Sequence, residues 1–570
     1  MFEFKTVYHP QGDIAHIETR LTGNDLLCAP KLNKGTAFSE EERMTFGLAG
    51  LLPNQVETLE QQAKRMYAQY HEHTTHLGKH IYLNVLHDYN ETLFYKLTHD
   101  HLEETLPILY TPTIGEAVKR FSLEYRKAKG LYISYPNRHL MDVILEHRLP
   151  PAVDLAVVTD GQAVLGIGDQ GIGGINIASA KLMVYTLCGG INPNRVLPIQ
   201  LDVGTDNPSL LNDPLYLGWR HERIKGSAYD EFIDTFIQAI TKKFPNILLH
   251  WEDLGRDSAR HILHHYRNKI CTFNDDMQGT AVVSTACILA GIKASGLPNL
   301  RDHRIVILGA GNAGIGIADH LADLMRRAGL SDAEQHERLW ILDRSGLMTT
   351  AKKFSPFQAR YAHAPDTLTT WKRRDPNQTT LFDVVNNVKP TILIGCSTAA
   401  GAFTEEIVKL MASQVSRPII MPLSNPNELS EATPADLFRW TEGKAIIATG
   451  SPFPDVDDGI HHHRIAQSNN AFVFPGIGLG TIIAKAKHVT DNMLIKATET
   501  LTACSPINQD MMAPLLPKLS EAKMVSANIA LAVAEEARKE GIAGISKDAD
   551  LKELIKNTMW EPRYYPYKKI

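Results

Sequence analysis

The sequence has little cysteine and no paired cysteine motif. Six residues, Cys28, Cys188, Cys271, Cys287, Cys396 and Cys504, are scattered over 570 positions with no CxxC spacing. That excludes a disulfide framework and a thiolate zinc site, and it points to reduced thiols packed as small hydrophobes. Excess positive charge is also absent. With 59 Lys and Arg against 64 Asp and Glu, the formal net charge is −5. Nothing global therefore draws the chain to nucleic acid or to an anionic membrane. No run of about 20 apolar residues stands out as a membrane span. The opening stretch, MFEFKTVYHPQG, lacks a basic region followed by an apolar run. No secretory signal is expected there, and the default compartment is the cytoplasm. Internal repeats and low-complexity linkers are missing too.

What is present is enough apolar material for several cores. Hydrophobic residues make up 44% of the chain, more than one compact domain needs, so two or three domains are expected. Residues 1–30 carry no strong pattern. From Ser39 to Tyr125 the text is helical, opening on SEEER, an N-cap followed by an acidic first turn. Short apolar runs at 156–161 and 195–205, separated by helical text at 176–188, predict buried parallel strands with a helical crossover. A second series begins at RIVILGAGNAGIGIADHL (304–321). It continues through RLWILD, PTILIGCS, RPIIMPLSNP and KAIIATGSP. This alternation predicts a doubly wound α/β domain. Helical text then returns up to about Glu540, before a polar, aromatic tail.

Gly309, Gly311 and Gly314 form a GxGxxG loop directly after the apolar strand RIVIL, with a helical pattern following. Such glycines allow a tight turn and close approach of a pyrophosphate to a helix N-terminus, where Asn312 and Ala313 also lie. Asp343 closes the next strand and is placed to accept hydrogen bonds from an adenosine ribose, which favours NAD. Arg344, Lys352, Lys353 and Arg360 follow closely, so these residues leave NADP open.

Two acidic pairs, Glu252-Asp253 in HWEDLGR and Asp275-Asp276 in CTFNDDMQGT, each follow an apolar run. Converging carboxylates suit Mg²⁺ or Mn²⁺, although such pairs are also common on protein surfaces. The histidine-rich stretches read differently. HEHTTH (71–76) is not HExxH and is expected at an exposed helix end, and His461, His462 and His463 are expected in a solvated loop.

At this point the chain resembles the malic enzyme family. NKGTAF with GLLP, LYTPTIGEA, LDVGTDN, WED, FNDDMQGT, ILGAGNAGIGIA, PLSNPNE, ATGSPF and QSNNAFVFPGIGLG stand in the family's order across residues 20–540. The resemblance implies oxidative decarboxylation of L-malate to pyruvate and CO₂ with NAD or NADP. Glu252, Asp253 and Asp276 would be the ligands of Mg²⁺ or Mn²⁺. Lys181 would take the proton of the substrate hydroxyl, and Tyr110 would donate one to the enol product. Asp275 would tune that pair. Asn425 and Asn470, with Asn469 adjacent, would hold the substrate carboxylate, and Asn425 would also border the cofactor. The resemblance further implies a homodimer or a homotetramer.

The fold class expected is α/β. A Rossmann-type dinucleotide domain (280–467) is inserted into a discontinuous substrate and metal domain (130–279 and 468–540). A helical, oligomer-forming region (1–129) precedes them, and a tail (541–570) follows. The active site is expected in the cleft between the two α/β domains.

Three positions depart from the family pattern. Ala163, in TDGQAVLG, stands where an arginine that clamps the malate carboxylate is expected. NIASAK (176–181) replaces GIPVGK. Both departures are similar to malolactic enzymes, which convert malate to lactate and CO₂ with a retained dinucleotide. Tyr89 stands where fumarate-activated relatives carry an arginine, so no fumarate activation through that place is expected. Two further alternatives are a catalytically silent dinucleotide-binding interaction protein and an unrelated Rossmann dehydrogenase. The first has only Ala163 in its favour, and the second leaves WED and FNDD unexplained.

Overall fold

The computed structural model describes residues 4–9, 14–146, 152–164, 166–375, 377–457, 459 and 462–570. Two compact units share the chain: residues 1–162, 169–249 and 545–570 form the first, and 163–168 with 250–544 the second.

The first unit begins with an antiparallel hairpin, Phe4–Tyr8 against Ile14–Thr19, in the stretch where no pattern was legible. The tail completes this sheet. Tyr567–Lys569 adds in parallel to Ile17, Glu18 and Thr19. Tyr567 anchors it, with Phe38 and Phe46 edge-on at 5.9 and 6.4 Å and its hydroxyl donating to the Leu32 carbonyl at 2.9 Å. Residues 541–570 are thus an integral strand and helix rather than a loose end. The helices Leu59–Glu72, His76–Tyr89, Glu91–Asp100 and Leu102–Leu109 follow. Ser39 caps its helix in a capping box with Glu42, as the SEEER text predicts. HEHTTH spans the junction between two helices, with Thr75 capping the second.

Behind these helices, Leu131–Ser134, Val196–Asp202 and Leu155–Thr159 pair in parallel, in that order. The crossover helix Ile175–Gly189 is buried almost all round, which explains why its text is apolar without a polar stripe. It ends at Gly190, φ +64°, where an added Cβ would lie 2.9 Å from Met559.

The second unit carries a seven-stranded sheet. Its order is Gly346–Leu347, Leu339–Asp343, Ile305–Leu308, Ile392–Gly395, Ile419–Pro422, Ile446–Thr449, Ala466–Gln467. All neighbours are parallel except the short first strand. The long strands are built mainly of buried apolar residues, as a sheet covered on both faces requires. The chain order reverses between Ile305–Leu308 and Ile392–Gly395, which makes that crevice the topological switch point.

The division into units differs from the expected domain boundaries. Helices Phe474–Ala484, Asp491–Ala503 and Ala522–Lys539 pack on one another, and Asp491–Ala503 also packs on Thr280–Ala294. Residues 468–540 therefore share a core with the dinucleotide sheet. The acidic segments lie in that unit as well. Of the histidine triplet, His461 falls outside the described residues. His462 and His463 form a short strand paired with Val456–Asp457, and His463 is buried against Phe438 at 4.3 Å. The solvated loop expected there is corrected to a short strand, with His463 drawn inward by the aromatic contact and His462 still exposed.

Two helices, Gly171–Gly189 and Asp275–Ala294, are long and apolar enough to cross a membrane by length and composition. They are 89% and 83% buried inside the protein, as core helices are.

Candidate active site

The strand Leu248–Glu252 delivers Glu252 and Asp253, and the strand Thr272–Asn274 delivers Asp275 and Asp276, so that all four carboxylates belong to the second unit. Glu252, Asp253 and Asp276 each offer one carboxylate oxygen, all within 4.8 Å of one another. Glu252 and Asp253 are buried. Three carboxylates so close in a low-dielectric setting repel strongly, and a hard divalent cation with oxygen ligands is the natural counter-charge. The donor set fits Mg²⁺ or Mn²⁺.

Backbone geometry holds the cluster in place. Asp253 has φ +54°, the left-handed region that a non-glycine residue enters at a cost of about 1–2 kcal/mol. Its amide donates to Asp276 Oδ2 at 2.8 Å, and its carbonyl accepts from the Ala163 amide at 2.9 Å. Asp275 and Asp276 start a π-turn, Asp275–Gly279, that leads into helix Thr280–Ala294. This turn aims the two neighbouring carboxylates differently. Asp276 joins Glu252 and Asp253, whereas Asp275 Oδ2 accepts from Asn470 Nδ2 at 2.9 Å. Asn470 also donates to Thr280 Oγ1 at 3.1 Å, and Asn469 caps the short helix that follows it.

The dinucleotide loop lies at the switch point. Gly309 has φ +120°, and a Cβ there would sit 2.3 Å from the Cys396 carbonyl, so adjacent strands meet only through glycine. Nothing lies within 4 Å of a Cβ on Gly311, which leaves room for a phosphate to approach the backbone. Helix Asn312–Arg327 starts there and carries Ala313 in its first turn. Asn312 Oδ1 is buried and accepts no hydrogen bond among the described residues. An added Cβ on Gly314 would lie 1.9 Å from the Gly309 carbonyl. Gln358 Nε2 ties the loop down by donating to the Ala310 carbonyl at 2.8 Å. Asp343 ends its strand half-buried, its carboxylate accepting from the Ser345 amide and hydroxyl at 2.7 and 2.6 Å. Among the basic residues beyond it, Lys352 folds back on the Ser345 carbonyl at 3.3 Å, and Arg360 pairs with Asp319 at 3.4 Å. These residues fit a nicotinamide dinucleotide.

Asn425 follows strand Ile419–Pro422 and accepts from the Ser451 hydroxyl. Gly166, φ +73°, backs onto it so closely that a Cβ would lie 2.4 Å from the Asn425 carbonyl. One organising residue escaped the sequence reading. Glu431 is fully buried and accepts from Ser397 N and Oγ at 2.9 and 2.8 Å and from Ser424 N and Oγ at 3.3 and 2.5 Å. It fastens together the loops after two central strands. No local pattern marks it, because its partners lie 7 and 34 residues away.

In the first unit, Lys181 is 1% exposed in helix Ile175–Gly189, and Tyr110 is 8% exposed at the end of helix Leu102–Leu109. The Lys181 ammonium lies 5.3 Å from the Tyr110 ring centre. Their helices pack together, which joins two residues 71 positions apart. Elsewhere in this unit Arg223, also buried, grips Asp169 with Nε and Nη2 at 2.6 and 2.8 Å and donates to the Asp160 carbonyl at 2.9 Å. Tyr229 donates to Asp160 at 2.8 Å. Burial pushes the Asp160 carboxyl up and the Arg223 charge opposes that rise. The network braces the turns on both sides of residues 163–168.

Comparison with known proteins adds the decisive observation. Residues 87–267 match a family model described as malic enzyme, N-terminal domain, and residues 277–538 match malic enzyme, NAD binding domain. The chain belongs to the malic enzyme family. Among curated members, NAD-dependent malic enzyme 3 of Bacillus subtilis is 50% identical over 98% of this chain and 99% of its own. The NAD-dependent malic enzyme of Photorhabdus laumondii is 49% identical over 96% and 97%. Among solved structures, the malic enzyme of Entamoeba histolytica has a TM-score of 0.55 at 21% identity, covering 90% of this chain and 89% of that one. The malic enzyme of Pyrococcus horikoshii has a TM-score of 0.52 at 22% identity, covering 80% and 88%. These two likenesses are of fold. The malic enzyme domain models meet between residues 267 and 277, within the acidic stretch from HWED to FNDD.

Proposed function

We propose that this protein oxidatively decarboxylates L-malate to pyruvate and CO₂ with NAD as hydride acceptor. The observation that carries the reading is the convergence of Glu252, Asp253 and Asp276 within 4.8 Å. The close relatives named NAD-dependent malic enzyme support it.

Glu252, Asp253 and Asp276 would hold the divalent cation, Mg²⁺ or Mn²⁺. The glycine loop Gly309–Gly314 and Asp343 would bind NAD. When bound, the cation stabilises charge at the C2 oxygen and the nicotinamide accepts the hydride. Lys181 takes the hydroxyl proton as the C2 hydride leaves. The C3–C4 bond then breaks and its electron pair stays on the three-carbon fragment as CO₂ departs. Tyr110 delivers one proton to C3. One proton is removed and one is added, so the reaction releases no net proton. Asn425, Asn469 and Asn470 are assigned to the substrate carboxylate, and Asp275 to fixing Asn470. The protein is further assigned to the cytoplasm and to a homodimer or homotetramer.

The test is product analysis. Protein is incubated with L-malate, Mn²⁺ and excess NAD or NADP, and reduced cofactor is followed beside pyruvate and lactate. Pyruvate and NADH in equal amounts are expected, with NAD preferred over NADP. Lactate without accumulating reduced cofactor would overturn the reading in favour of a malolactic reaction.

A further inference from the structure

His250 opens the HWED segment and has no role in the chemistry above. It lies two residues before Glu252 on one strand, so the two side chains leave the same face. His250 Nε2 is 3.0 Å from Glu252 Oε2. The residue is fully buried, its ring edge-on to Phe273 at 5.5 Å and to Phe474 at 5.7 Å. These two aromatic walls fix the plane of the imidazole and therefore the direction of its N–H. His250, Glu252 and Asp275 also have ligand-capable atoms within 4.8 Å of one another, a trio that overlaps the first at Glu252 alone.

We infer that His250 is a positioning residue for the cation site, holding the Glu252 carboxylate in its ligating orientation before the ion arrives. The inference rests on the assignment of Glu252, Asp253 and Asp276 as the site. An ionised carboxylate only accepts hydrogen bonds, so Nε2 carries the hydrogen in this pair. Engaging Oε2 fixes rotation about the terminal bond of Glu252, a freedom that the side chain otherwise loses on binding. Asp275 is fixed in turn by Asn470. The cluster is thereby tied from both sides, at Glu252 by His250 and at Asp253 by the Ala163 amide. Hydrogen-bonding partners of metal ligands typically govern affinity by about 10–100-fold.

The experiment is Mn²⁺ titration of the full-length protein without malate or dinucleotide, following the electron paramagnetic resonance signal of free Mn²⁺. His250→Ala is expected to weaken Mn²⁺ binding by about 10–100-fold. Its thermal midpoint in chelator should fall, because a buried ring and its hydrogen bond are lost, so affinity is read well below that midpoint. His250→Gln supplies an amide donor in place of the ring N–H and is expected to bind within a few-fold of the wild type. Wild-type affinity in His250→Ala would overturn the proposal. Equal impairment of both variants would also overturn it, and would make His250 a ligand or a purely structural residue. A wild-type protein that binds no Mn²⁺ would instead overturn the assignment of the acidic trio.

Discussion

The backbone amide of Ala163 donates to the carbonyl of Asp253 at 2.9 Å. The position that lacks the expected arginine therefore still acts on the cation site through its main chain, steadying a residue held at φ +54°. Any residue with an N–H can supply this bond, and proline cannot. Ala163→Pro is expected to weaken Mn²⁺ binding by about 2–10-fold, the equivalent of one net hydrogen bond of about 0.5–1.5 kcal/mol. Ala163→Ser should bind as the wild type does. Calorimetric titration of both variants checks this, and equal affinity in the proline variant would contradict the brace.

Glu431 collects hydrogen bonds from Ser397 and Ser424 in the interior. Removing the carboxylate leaves buried donors without an acceptor. Glu431→Ala should lose about 2–4 kcal/mol of stability and bind NAD more weakly, because the Ser397 loop it holds backs onto the glycine turn at Gly309. Glu431→Gln retains one acceptor oxygen and should fall between. Thermal unfolding and NADH fluorescence titration read the two effects separately. A Glu431→Ala protein with unchanged NADH affinity would restrict Glu431 to a folding role.

The buried Lys181–Tyr110 pair is assigned opposite proton transfers. Lys181→Met and Tyr110→Phe should each lower kcat by about 10²–10⁴-fold, the usual worth of a general base or acid. Mn²⁺ and NAD affinities should stay within a few-fold of the wild type. Turnover above one tenth of the wild-type rate in either variant would remove that residue from the mechanism.

Two histidines of the second unit should make stability depend on acid. Burial pushes His320 and His363 down to about 4 from the ordinary 6.5. The unfolded chain therefore binds protons between pH 6.5 and 4 that the folded chain refuses. Stability is complete above pH 6.5 and is lost as pH falls toward 4, at about 3 kcal/mol for each histidine. Urea unfolding at pH 7, 5.5 and 4.5 should show the decline. His320→Gln can still donate to or accept from Thr498 Oγ1, now 2.7 Å from the ring, and should flatten the profile. An unchanged slope in that variant would place the acid sensitivity elsewhere.

The sequence by itself determined the parallel sheet, the glycine turn and the residue types of the site. A strand buried on both faces must be an unbroken apolar run, and Ile305–Leu308, residues 339–342 and Ile392–Gly395 are such runs. The turn before a phosphate-binding helix needs glycine, and Gly309 meets the Cys396 backbone where no side chain fits. These are local requirements, so they leave local marks. Residue type and spacing do not say which carboxylates meet; the family resemblance named Glu252, Asp253 and Asp276, and the tertiary structure shows the cause. Asp275 and Asp276 are equivalent in the text, but the π-turn sends one to Asn470 and the other to Glu252 and Asp253. It also decided that Tyr567 completes a sheet begun at Phe4, that residues 468–540 join the dinucleotide sheet's core, and that Glu431 pins two loops. Each of these contacts depends on chain segments far apart in sequence or on the aim of one side chain. Periodicity and composition carry no record of either, because they report only what neighbouring residues must satisfy together.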